Sequence, residues 1–261
     1  MRKKVWGIIA VAAFSVAIIL TIFIVRNYVH REIVEEQYET MREPESENAQ
    51  QRQEPEVIHD EIEPIELDIP VDFESLQKTN PDIYGWITIP GTEIDYPIVQ
   101  SSTDNSYYLN YSAEKTESVC GAIFSENYNS KTFDDAITVL YGHNMRDGSM
   151  FAGLHEYEDK VYMENHEDIT VYLPDAILKY KVFAAYLSDD KHILMHFNQG
   201  ETEDNRKAYI DEIMSHRTMK ASLKTSANVD ENSKILTLST CHSAGKNYRY
   251  LVQAYLAEEY R

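Results

Sequence analysis

The sequence predicts a mainly β domain, either a barrel or a curled sheet, behind a long N-terminal extension. Its apolar segments are mostly short and rich in Val, Ile, Tyr and Thr, turn residues separate them, and helical periodicity is limited to a few connections. A doubly wound fold would instead alternate its strands with helices. The pattern is typical of closed or curled β architectures that carry a few peripheral helices.

Seven strand-like segments follow one another along the domain. They are WITIP (86–90), IDYPIVQ (94–100), AITVLY (136–141), ITVYLP (169–174), ILKYKVFAAYL (177–187), KILTLST (234–240) and YRYLVQAYLA (248–257). Helical signals are fewer. Asp72 is placed to cap a helix over 72–80 that ends before Pro81, and apolar residues recur at helical spacing in 149–157 and 203–217.

The N-terminus predicts a membrane anchor. Residues 1–4 are basic and residues 5–25 are apolar and uncharged, a run long enough to cross about 30 Å of hydrocarbon. A cleaved signal peptide would be followed by a small-residue cleavage site, which this run lacks. The basic residues favour a cytoplasmic position for 1–4 and place the remainder of the chain outside the cell.

Residues 26–69 predict a solvated acidic linker, and the folded domain is expected over 70–261. The linker is dominated by Glu and has few apolar residues, so it cannot bury a core. The whole chain has a formal net charge of -20, with 44 acidic and 24 basic residues among 261. This balance argues against a nucleic-acid partner, because phosphate binding requires clustered Lys and Arg.

Cys241 and His143 are the candidates for cysteine chemistry. Each follows an apolar strand, so two strand ends that meet at one rim of a barrel would bring them together. A thiol needs a nearby base or cation to become a nucleophile at neutral pH. The second cysteine, Cys120, is expected to pack as a small apolar residue and not to form a disulfide with Cys241.

Arg249 is the third candidate. It opens an apolar strand, and alternation puts Arg249, Leu251 and Gln253 on one face. If this strand pairs antiparallel with 235–240 across the short loop 242–247, Arg249 lies close to Cys241. A structural ion pair and a guanidinium directed at a developing oxyanion are both compatible with that position.

Taken in order, these motifs resemble the active-site signature of the sortases, and most closely that of the class B branch. The resemblance covers roughly residues 72–256, and the helix-bearing stretch 201–216 resembles the class B insertion. The matching segments are NPDIYGWITIPGTEIDYPIVQ (80–100), DNSYYL (104–109), GAIF (121–124), YGHNM (141–145) and TLSTC (237–241). One departure is His242, which stands directly after Cys241 where similar sequences more often have an acidic or small polar residue.

The resemblance implies an eight-stranded sortase barrel with an N-terminal helix and a further helix in the insertion before the last two strands. It also implies a thioacyl mechanism in which Cys241 attacks the Thr carbonyl of a C-terminal sorting motif. His143 would protonate the leaving amine and Arg249 would stabilise the oxyanion. Further positions are expected to bind substrate, with Thr240 acting through its backbone; they are Asn105, Leu109, Tyr141, Ser239 and Thr240.

The implied partners are surface proteins with a sorting motif, and an amine acceptor from a peptidoglycan precursor or a pilin. The implied location is a Gram-positive cell membrane, crossed once, with the catalytic domain outside. No cofactor is expected, and no metal, because the chain lacks the acidic calcium-site pattern of some class A sortases. A pilus-assembling enzyme, a hydrolase that uses water as acceptor and a surface module without turnover remain as alternatives.

Overall fold

A computed structural model describes residues 67–216, 221–243, 245 and 247–261, together with the single positions 18, 21, 22, 25, 29 and 38. The chain divides into two compact units, Met1–Thr40 and Met41–Arg261. The predicted anchor and most of the predicted linker lie outside the described residues, apart from those single positions, which are helical. Among the positions that are described, no helix combines the length and the apolar character that crossing a bilayer requires.

The second unit is built on one mixed β-sheet. Within the described residues its strands are β1 Ile83–Thr88, β2 Asp95–Val99, β3 Ile123–Phe124, β4 Ile137–Tyr141, β5 Asp168–Leu173, β6 Ala176–Asp189, β7 Ser222–Leu223, β8 Ile235–Cys241 and β9 Tyr248–Tyr260. All seven strand-like segments of the sequence correspond to strands. The two strands without a clear sequence signal, β3 and β7, are only two residues long, too short to show a period.

Eight of these strands close into a ring. The order is β5-β1-β2-β3-β4-β8-β9-β6, and β5 pairs with β6 to complete the circle. The short β7 pairs with β6 at Ala184 and Ala185 and lies outside the ring. The predicted eight-stranded barrel is therefore confirmed. Closure leaves no exposed edge along the long strands, which removes a site for unwanted pairing with other chains.

Short helices cover the connections of the barrel. In the described part of the chain the α-helices are α1 Phe73–Thr79, α2 Lys160–Asn165, α3 Ile193–His196 and α4 Glu203–Ser215, and 3-10 helices occupy Tyr107–Leu109, Ala152–Glu158 and Asn198–Gly200. The N-terminal helix and the helix in the insertion are both confirmed. Asp72 caps α1 by accepting a hydrogen bond from the Ser75 N–H, as its sequence position predicts.

The segment 149–157 differs from its predicted α-helix. Met150 has φ 56, a left-handed conformation that no α-helix contains, and the helical part that follows is a 3-10 helix starting at Ala152. Phe151 and Leu154, which the helical spacing singled out, are nevertheless buried. The apolar pattern thus predicted which side chains enter the core but not the backbone that carries them there.

The insertion helix α4 packs on the outer face of β8 and β9. Its Tyr209 hydroxyl shares a buried hydrogen-bond network with Thr237 of β8 and Gln253 of β9. Tyr209, Ile210 and Ile213 are buried, as the helical spacing predicted. This packing anchors the insertion against the two strands that carry Cys241 and Arg249.

Candidate active site

Two parallel strand ends bring His143 and Cys241 to the same rim of the barrel. Strands β4 and β8 pair in parallel with Tyr141 opposite Ser239, and the Gly142 N–H donates to the Ser239 carbonyl over 3.1 Å. His143 follows Tyr141 by two residues and Cys241 follows Ser239 by two residues, so the same register places His143 level with Cys241. Neighbouring strands are about 4.8 Å apart, so the two side chains project into the same space.

Antiparallel pairing adds Arg249 to this rim. Strands β8 and β9 place Arg249 directly opposite Cys241. Side chains of such a pair lie on the same face with their Cβ atoms about 5 Å apart. The Arg249 guanidinium, which carries five N–H donors, uses Nη1 to donate to the Tyr248 carbonyl over 3.1 Å. The sequence-based expectation that 235–240 and 248–256 form a hairpin is thus met in the structure.

The two cysteines occupy opposite environments. Cys241 is exposed and Cys120 is buried, and neither forms a disulfide. An exposed thiol at a strand end is accessible to a substrate carbonyl, whereas a thiol packed in the core is inert. Of these two positions, only Cys241 combines an accessible thiol with a neighbouring imidazole and guanidinium.

A hydrogen bond fixes the orientation of the His143 ring. Its Nε2 lies 2.8 Å from the Leu109 carbonyl oxygen. A carbonyl oxygen only accepts, so Nε2 carries a proton and donates it. The other ring nitrogen, Nδ1, is therefore the atom at which His143 can take up or release a proton. The main chain is held as well, because the Phe151 N–H donates to the His143 carbonyl over 2.9 Å.

Gly121 allows the chain to approach His143 closely, and we expect Gly121→Ala to destabilise the domain. Gly121 has φ +60, and a Cβ there would lie 2.6 Å from the Tyr108 carbonyl oxygen and 3.1 Å from His143 Cδ2. The left-handed backbone and the overlap together should lower the free energy of unfolding by about 2–4 kcal/mol. Chemical denaturation of the variant and the parent measures this loss.

Gly148→Ala is the matched control for that substitution. Gly148 also has positive φ, +94, but nothing lies within 4 Å of its missing Cβ. Gly148→Ala should therefore lower the free energy of unfolding only by the cost of the left-handed backbone, about 1–2 kcal/mol. Equal losses of unfolding free energy in the two variants would show that the close packing of Gly121 beside His143 contributes nothing to stability.

All eight predicted site residues line one cleft of about 340 Å³; they are Asn105, Leu109, Tyr141, His143, Ser239, Thr240, Cys241 and Arg249. Asn105 accepts a hydrogen bond from the Asn127 N–H over 2.8 Å. Leu109 leaves 39% of its surface exposed, which is enough to contact a ligand. Strand alternation turns the buried Thr240 side chain away from the face that carries Cys241, so Thr240 contributes its main chain to the cleft.

Among the polar lining residues that sequence reasoning missed, Glu126 and His192 contact each other beside Tyr141. The Tyr141 hydroxyl donates to Glu126 over 3.0 Å, and His192 Nε2 lies 2.9 Å from the same carboxylate. Burial and the Glu126 charge raise the pKa of Tyr141, so its phenol keeps the proton that it donates. His192 lies in a polar connection and Glu126 follows the two-residue strand β3, so neither position carries a periodic signal.

Asn144 and His155 contact the end of β8, the strand that carries Cys241. Asn144 Nδ2 donates to the Cys241 carbonyl over 3.0 Å and lies 2.9 Å from His155 Nε2. His155 belongs to the 3-10 helix that replaces the predicted α-helix. Asn144 was visible in the YGHN motif, but its connection to Cys241 depends on pairing between strands far apart in the chain.

Comparison with known proteins identifies the family. The sortase domain model matches residues 87–257, well over half of the chain. A curated relative, sortase B of Listeria monocytogenes serovar 1/2a, is 36% identical over 170 residues, which are 65% of this chain and 67% of the relative. The chain belongs to the sortase family.

Solved structures agree with this assignment to the class B branch. This sortase resembles the Staphylococcus aureus sortase B–substrate complex with a TM-score of 0.62 and 32% identity, over 71% of this chain and 84% of the other. A structure of sortase B complexed with triglycine matches with the same TM-score, 31% identity and coverage of 71% and 85%. The predicted family resemblance is confirmed, and the enzyme is a cysteine transpeptidase.

Proposed function

We propose that this sortase cleaves a C-terminal sorting motif of surface proteins through Cys241 and transfers the acyl group to a cell-wall amine. The observation that carries the proposal is the meeting of an exposed Cys241, His143 and Arg249 at one end of the cleft. Thiol, imidazole and guanidinium together supply a nucleophile, a proton carrier and an oxyanion partner.

The first half-reaction forms a thioester. The Cys241 thiolate adds to the carbonyl carbon of the scissile peptide, and the negative charge moves to the carbonyl oxygen, where Arg249 stabilises it. The C–N bond then breaks and the leaving amine takes a proton from Nδ1 of His143. His143 is suited to this role because its bond to Leu109 leaves Nδ1 to carry the transferable proton.

The second half-reaction transfers the acyl group. An incoming primary amine attacks the thioester carbonyl and loses a proton to His143 Nδ1, and the C–S bond breaks to restore the Cys241 thiolate. The same imidazole thus acts as acid and then as base. The solved sortase B complex with triglycine supports an amine acceptor, and the sortase B–substrate complex supports a peptide donor.

The cleft beside Cys241 is the proposed site for the sorting motif. Asn105, Leu109, Tyr141 and Ser239 line it, and Thr240 offers its main chain. Glu126 and His192 extend the polar lining on the side of the insertion. The apolar Leu109 and the hydrogen-bonding groups around it can distinguish peptide side chains by size and polarity.

For the location we propose a single membrane span at 5–25, a cytoplasmic 1–4 and an extracellular enzyme domain over 70–261, joined by the acidic linker 26–69. The support is the basic start, the apolar run and the absence of charge within it. An external protease applied to intact cells should remove the enzyme domain. Protection of the domain until the cells are lysed would contradict this orientation.

Mass spectrometry of the full chain in detergent, incubated with a library of sorting-motif peptides, tests the reaction. We expect one peptide class to give a covalent adduct, with the mass of the peptide minus its leaving fragment, on Cys241. Adding triglycine should discharge the adduct into a triglycine-linked product. An acyl product that partitions to water equally with and without the amine would identify a hydrolase instead of a transpeptidase.

A further inference from the structure

Three side chains that could bind a metal meet behind the nucleophile strand. His155 and Glu158 lie on the 3-10 helix, and His242 follows Cys241. Glu158 Oε1 is 3.1 Å from His155 Nδ1 and 3.3 Å from His242 Nε2. Each residue offers one ligand atom, and these three atoms all lie within 4.8 Å of one another. His155, Glu158 and His242 together form the rear cluster.

The spacing of the rear cluster matches a tetrahedral ion. Ligand distances of about 2.1 Å around zinc give about 3.4 Å between neighbouring donor atoms. Both nitrogen–oxygen distances in the rear cluster are already close to that value. Glu158 remains 34% exposed, so the fourth position is open to water. We propose that the rear cluster binds a divalent transition metal of the zinc type through His155, Glu158 and His242.

The donor set selects the kind of ion. Two imidazoles and one carboxylate suit zinc, whereas calcium and magnesium prefer sites made only of oxygen atoms. The expectation of no metal rested on the lack of a calcium-type acidic pattern, and that criterion does not detect nitrogen ligands.

A second hydrogen-bonding layer orients His155 as a ligand. Its Nε2 lies 3.1 Å from the Cys241 carbonyl oxygen, and its ring stacks on the buried Tyr250 ring at 4.9 Å. A metal-bound histidine usually donates its other N–H to a carbonyl or carboxylate. His155 Nε2 also lies 2.9 Å from Asn144 Nδ2, which donates to the same Cys241 carbonyl, so His155 and Asn144 together link the rear cluster to the main chain of Cys241.

Metal and protons compete for the same atoms. Glu158 accepts hydrogen bonds from both imidazoles, through His155 Nδ1 and His242 Nε2. Metal binding displaces those protons. Metal binding also joins the 3-10 helix Ala152–Glu158 to the loop after β8. The site does not depend on the proposed reaction, since neither His143 nor Arg249 belongs to it.

Titration calorimetry with zinc ions on the full chain in detergent tests this site. All substitutions are made in the Cys241→Ala protein, called the background protein, so that the thiol cannot bind the ion. The buffer contains no chelator. We expect one ion per chain with a saturable signal, weakened at least about tenfold in Glu158→Gln and in His242→Gln. His166→Gln is the matched control, because His166 stacks on Tyr162 as His155 does on Tyr250 but lies outside the rear cluster.

Thermal unfolding provides a second measurement. Zinc should raise the melting temperature of the background protein and of His166→Gln, because an ion that binds only the folded state stabilises it. The same addition should leave Glu158→Gln and His242→Gln unshifted. Unchanged zinc affinity in both of these folded variants, or no saturable binding to the background protein, would overturn the proposal.

Discussion

Replacing Cys241 by alanine should abolish the acyl adduct and lower turnover by about 10⁴-fold or more, because no other group at the rim can form the thioester. The exposed sulfur is the only atom of this strand end that combines nucleophilicity with access to a peptide carbonyl. Single-turnover mass spectrometry of adduct formation, together with steady-state transfer to triglycine, measures both effects. Peptide binding should survive, since the side chains along the cleft are unchanged.

Cys120→Ala is the matched control for this experiment. It removes the second cysteine of the chain, which is buried beside Gly121 and forms no disulfide. We expect full activity and a moderate loss of stability from the lost packing. Adduct formation that persisted in Cys241→Ala and disappeared in Cys120→Ala would reverse the assignment of the nucleophile.

Replacing His143 by glutamine should lower kcat/KM by about 10²–10⁴-fold, the usual contribution of a positioned acid and base. Glutamine retains an N–H that can donate to the Leu109 carbonyl, so the local hydrogen bond need not be lost. It cannot exchange a proton with the leaving or the incoming amine. The pH–rate profile should therefore lose the limb that reports the imidazole, an effect that misfolding would not produce.

His166→Gln is again the control, since it makes the same chemical change outside the cleft. Its kcat/KM and its pH profile should match those of the parent. A His143→Gln enzyme with parental activity and an unaltered pH profile would show that another group moves the proton. The exposed His192, which lies in the same cleft, would then be the next residue to test.

The fold was largely predictable because its signals are local. Alternating or continuous apolar runs indicate strands whichever partner they meet, and all seven such segments correspond to strands. The helix over 149–157 was wrong in type because apolar spacing at i, i+3 and i+4 does not distinguish a 3-10 turn from an α-turn at short length. The strands β3 and β7 are too short to leave a pattern.

The cleft was predictable in part. Cys241, His143 and Arg249 each begin or follow an apolar strand, and these positions are local features of the sequence. Glu126 and His192 were missed because Glu126, which follows the two-residue strand β3, contacts Tyr141 of β4 and His192 in the connection after β6, three segments far apart in the chain. The rear cluster was missed because His155 and Glu158 reach His242 only where the 3-10 helix packs against the end of β8, a contact between segments far apart in the chain.

The sequence by itself determined the class of fold, the family and the residue types at the ends of the strands. It could do so because periodicity, turn residues and motif order are properties of neighbouring positions. The tertiary structure alone decided that Tyr141 lies opposite Ser239, and so that His143 stands level with Cys241. Strand register between distant segments depends on which apolar faces the closed barrel buries together, and no short stretch of the chain contains that information.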